Sequence, residues 1–279
     1  MPTTVTDALR LPAGPVDLDT FDPRATPGAP GGKSRTRAAL GEQAAGLSEW
    51  QERLYAEGAG GGQRRVLLVL QGMDTSGKGG VIRHAIGALN PQGASIVSFK
   101  RPTEDELRHH FLWRIRRGLP GSGMVGVFDR SHYEDVLIGR VRALAPPEVI
   151  ERRYAEIVRF EQRLVAAEVT VVKCFLHISA DEQRERLLAR LDEPTKHWKF
   201  NPDDVEERQL WPAYRAAYET ALERCSTDAA PWYVVPGDRK WYRNWAVGRL
   251  LLEALVAMDP RYPAGDFDVE EQRRLLAAT

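Results

Sequence analysis

The chain reads as an α/β protein in which a parallel sheet carries helices on both faces. Three observations predict this. From Arg64 onward, short and wholly apolar runs alternate with longer stretches of helical periodicity; the first run opens into a glycine-rich turn; and a second run ends in an aspartate. Runs that are apolar at every position suit strands buried on both faces, as parallel sheets require. Strands alternating with helices give a doubly wound sheet, whose ligands bind outside the carboxyl ends of the strands.

Residues 1–34 are rich in Pro, Gly, Asp and Thr and run through Pro27-Gly28-Ala29-Pro30-Gly31-Gly32. Such a composition buries little surface and predicts a mobile arm. A helix is expected over Arg35–Glu57, stopped by Gly58-Ala59-Gly60-Gly61-Gly62. Val66–Leu70 is the first strand, and Lys78–Leu89 is a helix beyond the turn. Further strands are expected at Ser95–Phe99, Met124–Phe128, Val169–His177 and Trp232–Val235. Helices are expected at Glu104–Arg117, Pro147–Ala167, Ala180–Leu191, Asp203–Arg224 and Arg239–Met258. In Asp203–Arg224, Trp211, Tyr214, Tyr218 and Leu222 recur at helical spacing, which reads most simply as core packing. One domain over 35–265 results, with 266–279 as a C-terminal tail. No internal repeat is found.

The composition narrows the function classes. Of 279 residues, 43% are hydrophobic and 28% charged, ordinary for a soluble enzyme. Lys+Arg and Asp+Glu both total 39, so no global charge calls for nucleic acid or a membrane surface. A polyanion must be bound by local clusters instead. Cys174 and Cys225 are far apart and outside any CxxC pattern, which argues against a disulfide framework or a zinc site. Met1–Gly14 carries no apolar stretch of the signal-peptide kind, and no run approaches the ~18 residues of a membrane span. The expected address is the cytoplasm.

The strongest motif is Gly72-Met73-Asp74-Thr75-Ser76-Gly77-Lys78-Gly79-Gly80, a G-x-x-x-x-G-K turn between a buried strand and a helix. Its glycines let backbone N–H groups curl around phosphate oxygens, and Lys78 supplies a point charge. A strand–turn–helix corner serving chain reversal alone is the plainer reading, but the context is that of a phosphate site. Where a standard P-loop has Ser or Thr to hold Mg²⁺, this chain has Gly79. Asp74 lies inside the loop, where a carboxylate repels phosphate unless a cation stands between them, so it reads as a metal ligand. Capping of local N–H groups is its alternative role.

Met124–Phe128 ends in Asp129-Arg130-Ser131. A hydrophobic strand ending in Asp is the usual second metal element of a P-loop protein, although Asp also ends strands for turn chemistry alone. Arg130 then points near the transferring group. Tyr133, Glu134 and Asp135 fit helix capping as well as catalysis. Two stretches are basic: Lys100-Arg101 followed by Arg108, Arg114, Arg116 and Arg117, and a set of Arg184, Arg186, Arg190, Lys196 and Lys199 broken by Pro194. The second suits a lid that closes over phosphates at about 184–210, although a solvated helix face is the plainer reading of any one residue. Trp198, within it, also fits core packing.

The strings GMDTSGKGG at 72–80, SFKRPT at 98–103, FLWRIRR at 111–117 and FDRSHYEDV at 128–136 resemble the polyphosphate kinase 2 family. So do LHISADEQRERLLARL at 176–191, PTKHWKFNPDD at 194–204 and APWYVVPGDRKWYRNWAV at 230–247. The likeness runs from about Arg35 to Met258, and SHYEDV and HWKFN are most similar to the subgroup that phosphorylates both AMP and ADP. It implies a thymidylate-kinase-like P-loop kinase fold, a three-layer α/β/α sandwich with a helical lid. It further implies polyphosphate as donor, nucleoside mono- and diphosphates as partners, Mg²⁺ as cofactor with Mn²⁺ able to stand in, and a homo-oligomer, dimer or tetramer. Carried onto this chain, Asp74, Lys78, Asp129, Arg130 and Arg190 form the reaction centre, with Asp74 and Asp129 holding the metal. Gly72, Thr75, Ser76, Gly77, Gly79 and Gly80 cradle phosphate, and Lys100, Arg117, Lys196, Lys199, Lys240 and Arg243 are further phosphate contacts. Gly79 is often acidic in the family and Asp129 can be Asn, so Asp129 is read as a metal-site residue rather than an obligatory base.

Two rivals are weighed. An ATP-dependent nucleoside monophosphate kinase shares these motifs; the basic 184–199 cluster separates it only a little, and the family likeness decides. A GTPase-like switch predicts Ser or Thr after the P-loop lysine and an N-K-x-D motif; Gly79 violates the first, and the second is absent from the sequence.

Overall fold

Apolar runs and helical stretches alternate as expected through residues 4–279, which the computed structural model describes. The arm carries α1 (Val5–Leu9), followed by α2 (Lys33–Ala59), β1 (Arg65–Gln71), α3 (Lys78–His84), β2 (Ala94–Ser98), α4 (Glu104–Leu107) and α5 (Leu112–Arg117). Then come β3 (Val125–Asp129), α6 (Ile138–Val141), α7 (Pro147–Ala166), β4 (Val169–His177), α8 (Ala180–Asp192) and α9 (Asp203–Gln209). The chain ends with α10 (Trp211–Cys225), β5 (Trp232–Pro236), α11 (Lys240–Met258) and α12 (Val269–Ala277).

The five strands form one parallel sheet in the order β2-β3-β1-β4-β5. Both faces are covered, which is why the central strand has no polar side. Val66, Leu68 and Leu70 pack into the layer of α2, α3 and α11, while Leu67 and Val69 pack into the layer of α5, α7 and α10. All five are fully buried. The register pairs Leu70 of β1 with Asp129 of β3, so the turn after β1 and the carboxylate ending β3 leave the sheet side by side. This is the ligand end of a doubly wound sheet.

Three expectations need correction. Within 4–34 the mobile arm is instead laid along the body: Val5, Leu9, Leu11 and Leu18 are buried, and Arg10 bridges antiparallel to Tyr233 on β5. Leu11 N–H donates to Trp232 O at 2.9 Å, and Glu253 on α11 accepts from Thr6 N–H at 2.9 Å. A few apolar residues in a polar segment cannot build a core, yet they suffice to dock on one already built, and here they cover the outer edge of β5. Residues 1–3 of the predicted arm lie outside the described residues. Two long predicted helices are each broken in two. Thr103 and Glu106 form a capping box that starts α4, which lasts one turn, and Pro212 sits in the first turn of α10, where proline is tolerated but cannot continue a preceding helix. The C-terminal tail holds a helix, α12, exposed throughout.

Candidate active site

After β1 the chain turns back through Gly72–Gly77 into α3. Gly77 has φ +102°, and a Cβ there would stand 1.8 Å from Nη1 of Arg243, so no other residue fits without displacing that arginine. The turn is gripped from behind by two buried guanidiniums. Arg186 of α8 donates to the carbonyls of Thr75 (2.8 Å), Ser76 (3.0 Å) and Gly237 (2.7 Å), and its Nε donates to Glu182 at 2.7 Å. Arg243 of α11 donates to Ser76 O at 2.9 Å. With Thr75 and Ser76 carbonyls held outward by cations, the loop is set without relying on phosphate. Burial, with Arg186 close by, pushes the Arg243 guanidinium down to about 9.

Lys78 donates to Gly72 O at 2.9 Å. Burial, and then the nearby Arg130 charge, press its ammonium below the ordinary lysine value against the pull of Asp129, Glu134 and Asp74. A cation held at a cost gains more from an arriving phosphate than a well-solvated one. Arg130 follows Asp129 with left-handed φ of +66°, and its N–H donates to Leu70 O at 3.1 Å. Partial burial opposes its charge, but Glu134, Asp129 and Asp74 outweigh that and hold it above the ordinary arginine value. Glu134 is pushed up by burial, partly offset by Arg130 and Lys78.

Arg190, one turn beyond Arg186 on α8, reaches Asp74 Oδ2 at 3.4 Å, Asp204 Oδ2 at 3.2 Å and Lys199 O at 3.0 Å. Asp129 accepts from Ser98 Oγ at 3.4 Å through Oδ2, while its other oxygen, Oδ1, is buried with no partner. A buried carboxylate oxygen without a donor is costly unless a cation supplies one. Asp74 and Asp129 line the same cleft, so this pair fits a hard divalent cation that keeps much of its water. Among the described residues no group of three or more His, Cys, Asp or Glu has the arrangement of a metal cage.

Two cavities meet here. A long cleft of about 870 Å³ is lined by Asp74, Thr75, Gly77, Lys78, Gly79, Gly80, Ser98, Lys100, Asp129, Arg130, Arg186, Arg190, Lys196, Lys199, Lys240 and Arg243. A smaller one of about 230 Å³ is walled by Glu134, Leu137, Ile138, Gln183, Glu207, Trp211, Tyr214 and Tyr218, with Gly72 and Met73 at its base. Asp74, Lys78, Arg130 and Asp204 line both.

Most of the predicted site residues thus come together, with exceptions. Arg117 is absent from the cleft lining; it is exposed with its guanidinium 4.8 Å from the Trp113 ring centre. Arg243 is 3% exposed and bound to the loop's own carbonyl, so a bracing role fits it better than free phosphate contact. Ser76 is fully buried, its hydroxyl unpartnered within the turn. Trp198, 79% exposed on the lid, is not core. Tyr218 and Leu222 are buried as the helical stripe predicts, but Trp211 and Tyr214 are half-buried and wall the smaller cavity with Tyr218. The bracing role of Arg186 was missed, although its i, i+4 spacing from both Glu182 and Arg190 places all three on one face of α8.

A parallel sheet with a phosphate turn after its central strand, a carboxylate at the end of the neighbouring strand and a helical lid define a P-loop kinase. The chain belongs to the polyphosphate kinase 2 family, whose family model matches residues 32–263. It is 47% identical over 252 residues to the AMP/ADP-polyphosphate phosphotransferase of Meiothermus ruber, covering 90% of this chain and 93% of that one. It is 44% identical to the ADP-polyphosphate phosphotransferase of Rhodopseudomonas palustris, over 78% of each chain. The crystal structure of polyphosphate kinase 2 from Arthrobacter aurescens TC1 superposes with a TM-score of 0.97 at 49% identity, covering 100% of this chain and 98% of that one. Among the described residues no helix is long and apolar enough to cross a membrane.

Proposed function

We propose that this chain transfers phosphoryl groups between inorganic polyphosphate and the terminal phosphate of AMP and ADP, reversibly and by in-line displacement. The observation that carries this reading is the meeting of a long cationic cleft and a smaller aromatic-walled cavity at Lys78, Arg130 and Asp74. The cleft suits an extended chain of phosphates, because Arg and Lys spread along a groove match a repeating anion. The smaller cavity, with Trp211, Tyr214 and Tyr218 in its wall, suits a nucleoside whose phosphates reach toward Lys78. Membership of the family, and relatives named for polyphosphate transfer to AMP and ADP, point the same way.

A terminal phosphate oxygen of the acceptor forms a bond to the end phosphorus of polyphosphate. The bond from that phosphorus to its bridging oxygen breaks, leaving the donor one phosphate shorter. The nucleophile is already an anion, so the protein's part is to bring two polyanions together and to stabilise charge on the transferred group. Lys78 and Arg130, lining both cavities, are placed to neutralise that group, and Arg190 lies beside them on the lid. Asp74 and Asp129 would hold Mg²⁺, which when bound screens the phosphates from the carboxylates and from one another.

The purified chain is incubated with polyphosphate, Mg²⁺ and either AMP or ADP, with no ATP added, and nucleotide products are separated. ADP from AMP and ATP from ADP are expected. Turnover of one acceptor alone would narrow the substrate range. Activity only with ATP and a nucleoside monophosphate would replace this reading by that of a monophosphate kinase.

A further inference from the structure

Beneath the turn that carries Arg130 lies a charged cluster with no part in the chemistry above. Lys173 stands in the middle of β4, where neighbours on the same face of the sheet are Val171 and Phe175, and it is fully buried. Its three ammonium donors are all used: on Glu161 Oε2 of α7 at 2.6 Å, Cys225 O at 2.6 Å and Tyr133 Oη at 3.0 Å. Glu161, 1% exposed, uses its other oxygen to accept from Tyr133 Oη at 2.8 Å and from His132 Nε2 at 3.1 Å. The Lys173 ammonium also sits 5.1 Å from the centre of the Trp232 ring.

A buried ion pair is a poor way to gain stability, because an apolar pair of the same volume does as well or better. What an apolar pair cannot do is hold a hydroxyl and an imidazole at fixed positions by directional bonds. Here those groups belong to His132 and Tyr133, consecutive residues between Arg130 and Glu134. His132 and Tyr133 are fully buried in the cluster, while Arg130 lines both cavities and Glu134 walls the smaller one. Arg130 is also one of the few non-glycine residues with left-handed backbone, a conformation that persists only where surrounding structure over-determines it. Upstream, it is tied by its N–H to β1, and downstream the chain is tied through Tyr133 and His132.

We infer that Glu161 and Lys173 are a positioning pair for the reaction, acting through Tyr133 and His132 to fix Arg130 and Glu134 against the transferring phosphoryl group. The inference rests on the phosphotransfer reading above. The pair touches no substrate. It sets the angle at which the Asp129–Asp135 segment leaves β3, and a shift of about 1 Å at a reacting group costs on the order of 10²-fold in rate.

The test uses Tyr133→Phe, which removes one hydroxyl and leaves the ion pair, and Lys173→Met, which removes the charge. Each is assayed for polyphosphate-driven phosphorylation of ADP, well below its melting temperature, alone and combined with Arg130→Ala. Tyr133→Phe is expected to lower kcat about tenfold with KM for polyphosphate and ADP within twofold, and Lys173→Met, where it folds, to lower kcat further. In the Arg130→Ala background Tyr133→Phe is expected to lower the residual turnover by clearly less than tenfold, since one of the two groups it positions is gone. A folded Tyr133→Phe variant with wild-type kcat would overturn the inference, as would an equal loss in both backgrounds. Wild-type protein inactive with polyphosphate would instead remove the phosphotransfer reading itself, which separates the two failures.

Discussion

Single positions in the phosphate turn carry opposite expectations for the same substitution. A Cβ at Gly77 would overlap Arg243 and require a left-handed backbone, which alone costs about 1–2 kcal/mol. A Cβ at Gly79 meets nothing within 4 Å. Gly77→Ala is therefore expected to lose most activity and several degrees of melting temperature, while Gly79→Ala keeps its melting temperature within a degree or two. Thermal denaturation of the two variants side by side checks this, and equal losses would contradict the geometry. Lys78 tests the division between stability and function. Its charge is disfavoured in the folded state, chiefly by burial, so removing it relieves a cost. Lys78→Ala is expected to fall at least about 10³-fold in kcat while its melting temperature holds or rises. Near-normal turnover in that variant would remove Lys78 from the reaction centre. These residues were legible in the sequence because the G-x-x-x-x-G-K spacing fixes loop and lysine together. Arg186 and Arg243 were harder to read, because nothing in a sequence says whether an arginine faces a ligand or the back of a loop.

At the scale of elements, the sheet was legible because burial on both faces leaves runs such as Val66–Leu70 with no polar position. The break between α9 and α10 depends on a proline placed in a first turn, a signal that helical periodicity masks. The N-terminal segment was misread for a different reason: its order comes from the surface it docks on, not from its own composition. One of its attachments is titratable. His177, at the end of β4, donates from Nε2 to Phe21 O at 3.0 Å, and burial is the main cause holding its imidazole below the ordinary value, against Asp238 and Asp19 and with Arg215. A base with a lowered folded-state value favours the neutral ring. The stability it contributes is complete above the unfolded value of about 6.5 and is lost as pH falls through the lowered folded value. Melting temperature is thus expected to decline from about pH 6.5 downward. His177→Gln, which keeps a donor to Phe21 and cannot be protonated, should flatten that first part of the decline. A slope unchanged by the substitution would place the pH dependence elsewhere.

For the whole molecule, charge is zero on balance, since 39 cations meet 39 anions, yet it is not evenly spread. The long cleft is lined by nine cations (Lys78, Lys100, Arg130, Arg186, Arg190, Lys196, Lys199, Lys240 and Arg243) against three carboxylates (Asp74, Asp129 and Asp204), an excess of six. Clustering in a concave groove between low-dielectric walls focuses the field, so a protein with no net charge can still draw in a long polyanion. Its field reaches about 10 Å at 0.1 M salt and about 3 Å at 1 M, so donor capture should weaken steeply with ionic strength. Turnover of donor already bound at Lys78 and Arg130 should not. The expected result is a KM for long-chain polyphosphate that rises at least about tenfold between roughly 50 and 300 mM salt, with kcat within twofold. Replacing the exposed lid lysines Lys196 and Lys199 by alanine should reduce the slope of log KM against log salt while leaving turnover at saturation. A KM indifferent to salt would mean that the cleft binds its donor through a few buried contacts and that its outer lysines serve only to keep the surface hydrated, whereas a kcat that falls in step with salt would mean that the reaction centre itself is screened.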